Sequence, residues 1–261
     1  MSSSSKISSR DGTTIAYDQA GSGPPVILVG GAFCDRSFAG PLAALLQPDF
    51  TVISYDRRGR GDSGDKPPYH VDREVEDLAA LIETAGGSAH LYGVSSGAIL
   101  ALETAVQGHP VRSLALVEPP YQVDEQRPRV PNLADQYTEL CASGRPGDAV
   151  ALFMTKAVGQ PPEAVDQIRN TPMWPGLEAM APTLAYDAAI VGDGDLPANR
   201  VASVTVPTLM IESTDSPQWL RKATSALAHA LPNAEHRALA GQFHQPDPAL
   251  QAAELKRFFS R

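Results

Sequence analysis

The chain has 261 residues, 43% of them hydrophobic, so it is long and apolar enough to bury a sizeable core, which argues against disorder. Its formal net charge of -9 argues against nucleic acids and anionic membrane surfaces as partners, because both select clustered Lys and Arg. The sequence therefore predicts a soluble, acidic protein.

The N-terminal segment and the cysteines indicate a cytoplasmic location. Residues 1–6 contain no apolar run after their single charge, which predicts a frayed tail and not a secretory signal. No stretch approaches the ~18 apolar residues of a membrane-spanning helix. Cys34 and Cys141 are far apart, and the histidines show no zinc-site spacing. We therefore expect a reducing compartment, no disulfide, no metal site and no membrane contact.

Short apolar runs alternate with helical patterns over the first 117 residues. Two short strands are predicted on either side of the Asp11-Gly12 turn, and the continuous apolar runs at 25–29 and 50–55 predict strands buried on both faces. Further strands are predicted at 88–92 and 113–117, with helices at 38–46, 71–85 and 98–106. This order is typical of a mostly parallel sheet with crossover helices.

The strand pattern stops between residues 119 and 200. Helical patches at 132–142 and 148–158 are separated there by glycine and proline clusters. A strand at 206–211 and helices at 219–230 and 249–259 follow. We predict an α/β core formed by 1–118 and 201–261, with 119–200 as a helical cap, or lid, over the site.

The segment Gly93-Val94-Ser95-Ser96-Gly97 lies where a predicted strand turns into a helix. Glycines two positions on either side of Ser95 allow the helix to pack close to the strand, and the sharp turn exposes the hydroxyl. Ser95 is therefore a candidate nucleophile. The segment resembles the nucleophile elbow of the α/β-hydrolase superfamily, in particular its branch of serine esterases, lactonases and perhydrolases with a helical cap.

A serine hydroxyl needs a histidine to accept its proton and a carboxylate to orient that histidine. The family carries Ser, then Asp or Glu, then His in chain order, and Gly241-Gln242-Phe243-His244 is similar to its histidine loop. The resemblance thus implies His244 as the base and favours Asp215, in the loop after strand 206–211, as the acid. Glu118, which ends the strand after the elbow, and Glu212 remain alternatives.

Acyl transfer also needs N–H donors aimed at the oxyanion, each worth about 3 kcal/mol. The resemblance implies the backbone N–H groups of Ser96 and of Ala32 for this oxyanion hole. Gly30 stands where the family commonly has a histidine, which leaves the bracing of this loop open. Segment 56–63 is similar to a second family signature, and we assign it a structural role in which its charges pair with each other. A dinucleotide site is excluded because the glycines that a pyrophosphate requires are missing.

The substrate is predicted from the side chains near this site. The large apolar residues of the insertion include Tyr137 and Phe153, and Met154, Met173 and Trp174 are the candidates for lining the pocket. Phe33, beside the oxyanion loop, is predicted to touch substrate. This site favours an uncharged, hydrophobic ester, lactone or thioester, cleaved through an acyl-enzyme without cofactor or metal. A C–C hydrolase, a perhydrolase, a biosynthetic cyclase and an inactive ligand-binding relative remain alternatives; the oligomeric state is left open.

Overall fold

A central sheet of eight strands organises the protein. The computed structural model describes residues 3–124 and 127–261. The strands are β1 (Ser3–Ser8), β2 (Thr14–Gly21), β3 (Pro25–Val29), β4 (Thr51–Tyr55), β5 (Ala89–Val94), β6 (Val111–Val117), β7 (Thr208–Ser213) and β8 (Ala234–Leu239). Their order across the sheet is β1-β2-β4-β3-β5-β6-β7-β8, and a two-residue pair, β9 (Gly241–Gln242) with β10 (Gln245–Pro246), lies outside it. Strands β3 to β8 are parallel, whereas β1 and β2 are antiparallel, which confirms the mostly parallel sheet.

Helices follow the strands as a crossover pattern requires. They are α1 (Gly40–Leu46), α2 (Val71–Thr84), α3 (Ser96–Val106), α4 (Leu133–Ala142), α5 (Pro146–Leu152), α6 (Pro162–Arg169), α7 (Trp174–Met180), α8 (Leu184–Val191), α9 (Ala198–Val201), α10 (Gln218–Ala230) and α11 (Pro248–Phe259). A π-helical segment (Phe153–Val158) continues α5, and a 3-10 turn (Ala181–Thr183) precedes α8.

The sheet is buried on both faces, as its continuous apolar strands predict. One hydrophobic cluster packs α2, α3 and α10 against one face, through residues such as Leu78, Leu100 and Leu227. A second cluster packs α1 and α11 against the opposite face, with Leu46 and Phe258 among its members. Because β3 and β5 to β8 run parallel, the loops that follow them all emerge at one edge of the sheet.

Two parts of the sheet differ from the sequence-based expectation. The predicted frayed tail is wrong for residues 3–6, since Ser3–Ser8 pairs with β2 in the register Ser5↔Tyr17 and Ile7↔Ile15; Met1 and Ser2 lie outside the described residues. Backbone pairing at a sheet edge requires no apolar side chains, so the serine-rich composition concealed the beginning of this strand. The predicted pair of strands on either side of Asp11-Gly12 is confirmed. Strand β8 was also not predicted, because it is a half-exposed edge strand with charged residues.

The chain between β6 and β7 contains helices and, in its described part, no strand. Seven of its buried side chains form a third cluster, made of Tyr137, Ala149, Val150, Val165, Trp174, Ala181 and Leu184. Tyr121, Ile190, Val201 and Val204 belong instead to the first cluster on the sheet. The division at 118/119 and 200/201 into core and cap stays a prediction.

Candidate active site

Ser95 occupies the sharp turn between β5 and α3. Its backbone has φ 56° and ψ -125°, a strained conformation for a residue with a side chain. The adjacent glycines are required by close packing: a Cβ on Gly97 would lie 2.4 Å from the Val29 carbonyl oxygen, and one on Gly93 would lie 2.5 Å from the Gly97 oxygen. The local geometry is therefore that of a strand–turn–helix elbow with a half-buried serine at its apex.

His244 lies in the turn between β9 and β10, beside a buried carboxylate. Its Nδ1 is 2.9 Å from Oε2 of Glu118, an ion-pair separation without the alignment of a full hydrogen bond. The same oxygen accepts the backbone N–H of His244 at 2.9 Å, and Oε1 accepts the backbone N–H of Ser213 at 2.7 Å. Glu118 is completely buried, so its carboxylate is fixed by these contacts.

The ionisation of Glu118 reflects these contacts. Burial by itself would raise the pKa of Glu118, because a carboxylate loses its hydration. The nearby His244 imidazole and Ser216 hydroxyl, together with the hydrogen bond from the Ser213 amide, outweigh burial and hold the pKa below its ordinary value. Glu118 is therefore an anion facing the imidazole at neutral pH.

The carboxylate that the fold brings to His244 is not the one that the sequence favoured. Asp215 is exposed, and its backbone N–H bonds to the Gly241 carbonyl oxygen at 3.0 Å. Glu212 is buried but faces Arg221 at 3.1 Å and His236 at 3.2 Å. The preference for Asp215 as the partner of His244 is thus corrected to Glu118. The reason is topological: β6 lies between β5 and β7, so Glu118 emerges from the middle of the sheet next to the elbow.

The loop after β3 lies against the elbow. A Cβ on Gly31 would be 3.0 Å from the Cβ of Ser95, so Ala32 and Phe33 follow directly beside the serine. The carbonyl oxygen of Gly30 accepts from Arg57 Nη1 at 3.2 Å, and that of Gly31 accepts from Arg60 Nη1 at 2.5 Å. Two buried arginines therefore brace the loop at the position where the sequence lacks the expected histidine.

These arginines belong to an ion network that the sequence did not reveal. Asp187, on α8, accepts from Arg57 at 2.7 Å, from Arg60 at 2.6 Å and from the Ser96 hydroxyl at 2.7 Å. Arg57 also forms two 2.7 Å contacts with Glu74. Burial would raise the pKa of Asp187, but Arg60 and Arg57 outweigh it and lower the pKa.

The expectation that the charges of 56–63 pair only with each other is therefore wrong. Arg57 and Arg60 reach Glu74 and Asp187, and Arg58 pairs with Asp77 and Asp11, all outside the segment. The available signal was the rule that a buried arginine requires a carboxylate partner, but the sequence does not say which one. With their partners in place, these arginines are structural, as we predicted.

A cavity of about 1250 Å³ joins these parts. It is lined by Ser95, Ser96, His244 and the predicted oxyanion residue Ala32. Its apolar lining includes Phe33, Phe38, Leu42, Val94, Phe153, Met154, Leu184, Trp219 and Phe243. Ser95, His244 and the loop after β3 therefore line a common space.

Comparison with known proteins agrees with this geometry. A family model described as the alpha/beta hydrolase family matches residues 26–254. The chain belongs to the α/β-hydrolase family. A Mycobacterium tuberculosis protein named as a non-heme bromoperoxidase is 30% identical over 94% of this chain and 98% of its own. An Azorhizobium caulinodans protein named as a carbamate hydrolase is 27% identical over 84% and 83%. The solved structure of an α/β hydrolase from Sphaerobacter thermophilus is 51% identical, with a TM-score of 0.92 over 98% of this chain and 100% of that chain.

In this α/β hydrolase, two of the four predicted pocket residues lie elsewhere. Phe33 and Met154 line the cavity. Trp174 is instead buried in the cluster of the helical insertion, where its Nε1 donates to Glu178 at 2.9 Å, and Met173 is 60% exposed. Large apolar side chains in a small helical unit are needed for its own core, which explains the placement of Trp174.

The described residues contain neither a cluster of metal-binding side chains nor a membrane-spanning helix. Across residues 3–124 and 127–261, no three His, Cys, Asp or Glu side chains come together as a metal site. Within the same residues, no helix has the length and hydropathy to cross a bilayer.

Proposed function

We propose that this α/β hydrolase is a serine hydrolase that cleaves a hydrophobic, uncharged ester, lactone or thioester. Ser95 is the nucleophile, His244 is the base, Glu118 orients the histidine, and the backbone N–H groups of Ala32 and Ser96 form the oxyanion hole. The observation that carries the proposal is the 2.9 Å contact between His244 Nδ1 and the buried Glu118, in a cavity that also contains Ser95.

The reaction follows from these positions. The Ser95 oxygen attacks the carbonyl carbon while His244 Nε2 accepts its proton, and the two amides bind the resulting oxyanion. His244 then protonates the leaving alcohol or thiol, and the acyl-enzyme forms. A water molecule, deprotonated by His244, releases the acid. Glu118 keeps the proton on Nδ1, so that Nε2 is free to act as the base.

The lining supports the substrate class. Aromatic and aliphatic side chains supply most of its large residues, and Asp187, a charged residue of the lining, is paired with Arg57 and Arg60. Arg127, Arg129 and Lys156 also belong to the lining. A small organic ester can therefore bury its chain against the apolar part of the cavity.

Fluorophosphonate labelling and p-nitrophenyl butyrate hydrolysis test the proposal. We expect one label per wild-type chain, and loss of both labelling and turnover in Ser95→Ala and His244→Ala. His236→Ala is the matched control, because His236 also faces a carboxylate, Glu212, at 3.2 Å but does not line the cavity. Folded wild-type protein that neither labels nor turns over esters would instead favour a ligand-binding role.

A second candidate is a perhydrolase, and the Mycobacterium tuberculosis relative favours it by its name and its coverage. In that reaction hydrogen peroxide replaces water as the acyl acceptor and releases a peracid, which oxidises bromide. Bromination of monochlorodimedone in acetate, peroxide and bromide measures it. The perhydrolase function would be favoured if the wild type brominated faster than it hydrolysed esters and if Ser95→Ala lost the bromination activity.

A further inference from the structure

Tyr137 stands out among the residues that line the cavity because its hydroxyl is unpaired within the part of the chain that the structure describes. Tyr137 lies on α4, is 1% exposed and is one of the cavity-lining residues. Its hydroxyl is buried and has no hydrogen-bond partner in the described chain. Among the described cavity residues, the only other buried side-chain atom in this state is His244 Nδ1, which faces Glu118. A buried phenol O–H in a protein is ordinarily paired, so this one calls for an acceptor.

Tyr137 lies on the side of the oxyanion loop. Its ring centroid is 6.5 Å from that of Phe153, and Phe153 meets Phe33 edge-on at 5.2 Å. Phe33 directly follows Ala32, whose amide is the proposed oxyanion donor. An aromatic wall of Phe33, Phe153 and Tyr137 therefore connects the loop of Ala32 with Tyr137 along the cavity.

The protein itself offers the hydroxyl no acceptor there. Asp187 lies close enough to act on Tyr137 electrostatically, but its two oxygens already accept from Ser96, Arg57 and Arg60. Burial, followed by the charge of Asp187, raises the pKa of Tyr137, so the phenol remains protonated at neutral pH and acts as a donor.

We propose that Tyr137 is a specificity-determining residue, whose hydroxyl donates a hydrogen bond to a second oxygen of the substrate, apart from the reacting carbonyl. The substrate class is then an ester, lactone or thioester with an ether, keto or hydroxyl oxygen in its acyl or alcohol part. This inference rests on the proposed function for the identity of the reacting group. The donor site itself is defined by Tyr137 and its surroundings.

Three pairs of esters, equal in shape, test this subsite. They are p-nitrophenyl methoxyacetate with butyrate, p-nitrophenyl 3-methoxypropanoate with pentanoate, and 2-methoxyethyl butyrate with butyl butyrate. For at least one pair, we expect Tyr137→Phe to reduce the kcat/KM of the oxygenated ester relative to its hydrocarbon partner by about tenfold. Intrinsic reactivity differences cancel, because each ratio is compared between protein variants.

Tyr55→Phe is the matched control. The Tyr55 hydroxyl is equally buried and has no hydrogen-bond partner in the described chain, but Tyr55 does not line the cavity. We expect its ratios to equal those of the wild type, and both variants to melt at or above the wild-type temperature, since neither loses a hydrogen bond within the protein.

Binding to Ser95→Ala, measured by calorimetry, separates this proposal from the hydrolase proposal. The subsite is supported if Ser95→Ala binds an oxygenated ester more tightly than its hydrocarbon partner and the Ser95→Ala, Tyr137→Phe double variant does not. This result would support it even if the wild type turned over no ester. The subsite would be ruled out if, for all three pairs, the ratio of kcat/KM between the oxygenated ester and its hydrocarbon partner were the same in the wild type and in Tyr137→Phe. The acceptor of the hydroxyl would then be a trapped water and not a substrate oxygen.

Discussion

Glu118 holds the histidine loop from two directions, through the backbone N–H of His244 and through the contact with its imidazole. One carboxylate therefore fixes where the loop runs and, in the proposed mechanism, keeps the proton on Nδ1 of the imidazole. Its second oxygen is held by the Ser213 amide at the end of β7, so the anion cannot rotate away. Because of this arrangement, replacing one carboxylate oxygen of Glu118 by an amide nitrogen should strongly reduce the rate of catalysis.

Replacing Glu118 by Gln should lower kcat for p-nitrophenyl butyrate by about ten thousand-fold, because the amide favours the wrong tautomer of His244. Asp215→Asn is the control and should remain within about twofold of wild type, since Asp215 is exposed and away from His244. Initial rates and active-site titration measure both. Loss of activity in Asp215→Asn with activity retained in Glu118→Gln would reverse this assignment.

The residues of the candidate site were thus predictable from the sequence only where a short local motif marks them. Ser95 and His244 follow from short motifs, and both line the cavity. The partner of His244 depends on which strand ends lie side by side, and this is set by the order β5-β6-β7. The sequence kept Glu118 as an alternative because it ends β6, but spacing along the chain could not rank it above Asp215.

At the scale of elements, the approach of α3 to the sheet fixes the serine. Gly97 lies in the first turn of α3, against the carbonyl oxygens of Val29 and Gly30 at the end of β3. Any side chain there would push the helix away from the strand and change the angle of the elbow.

We expect Gly97→Ala to destabilise the protein by about 1–3 kcal/mol through overpacking and to reduce turnover, because a Cβ would meet backbone oxygens at 2.4 and 2.6 Å. Gly176→Ala in helix α7 is the control, with nothing within 4 Å of its added Cβ. That substitution should stabilise the protein by about 0.5–1 kcal/mol. Urea unfolding compares the two, and equal free energies of unfolding would contradict the packing argument.

The core elements were predictable because their apolar runs have the periods of strands and helices. Strand β3 matches its predicted bounds, and α2 and α11 differ from theirs by one residue. Strand β8 and the first residues of β1 escaped prediction because edge strands are held by backbone pairing and show little apolar periodicity.

At the scale of the whole molecule, the Asp187 network joins parts of the chain that are distant in sequence. It connects α8 to the elbow helix through Ser96 and to the oxyanion loop through Arg57 and Arg60. The position of the helical insertion and the geometry of the loops at the proposed site are therefore coupled through one buried carboxylate.

Asp187→Asn should destabilise the protein by about 3–5 kcal/mol, because it leaves Arg60 buried without a carboxylate in the described structure. Asp195→Asn is the control from the same insertion. It removes an exposed ion pair with Arg129 and should cost less than about 1 kcal/mol. Chemical denaturation at neutral pH measures both. A cost below 1 kcal/mol for Asp187→Asn would show that the network does not hold the molecule together.

Long-range placement is also where the sequence was least informative. A Met-Trp pair in a helical insertion is compatible with a pocket wall, a small core or an exposed surface, and the structure puts Trp174 in the core and Met173 on the surface. Which of these applies depends on how the helices α4 to α8 pack together, and no local pattern encodes that packing.

Phe33, Ser95, Glu118 and His244 all have a positive φ, between 47° and 57°. Each such residue raises the energy of the native chain by about 1–3 kcal/mol, and glycine would relieve it. Evolution in the laboratory for heat tolerance alone will therefore reward glycine at the very positions on which turnover depends. Directed evolution of a more thermostable variant therefore requires that each round be screened for the rate of reaction as well as for the melting temperature.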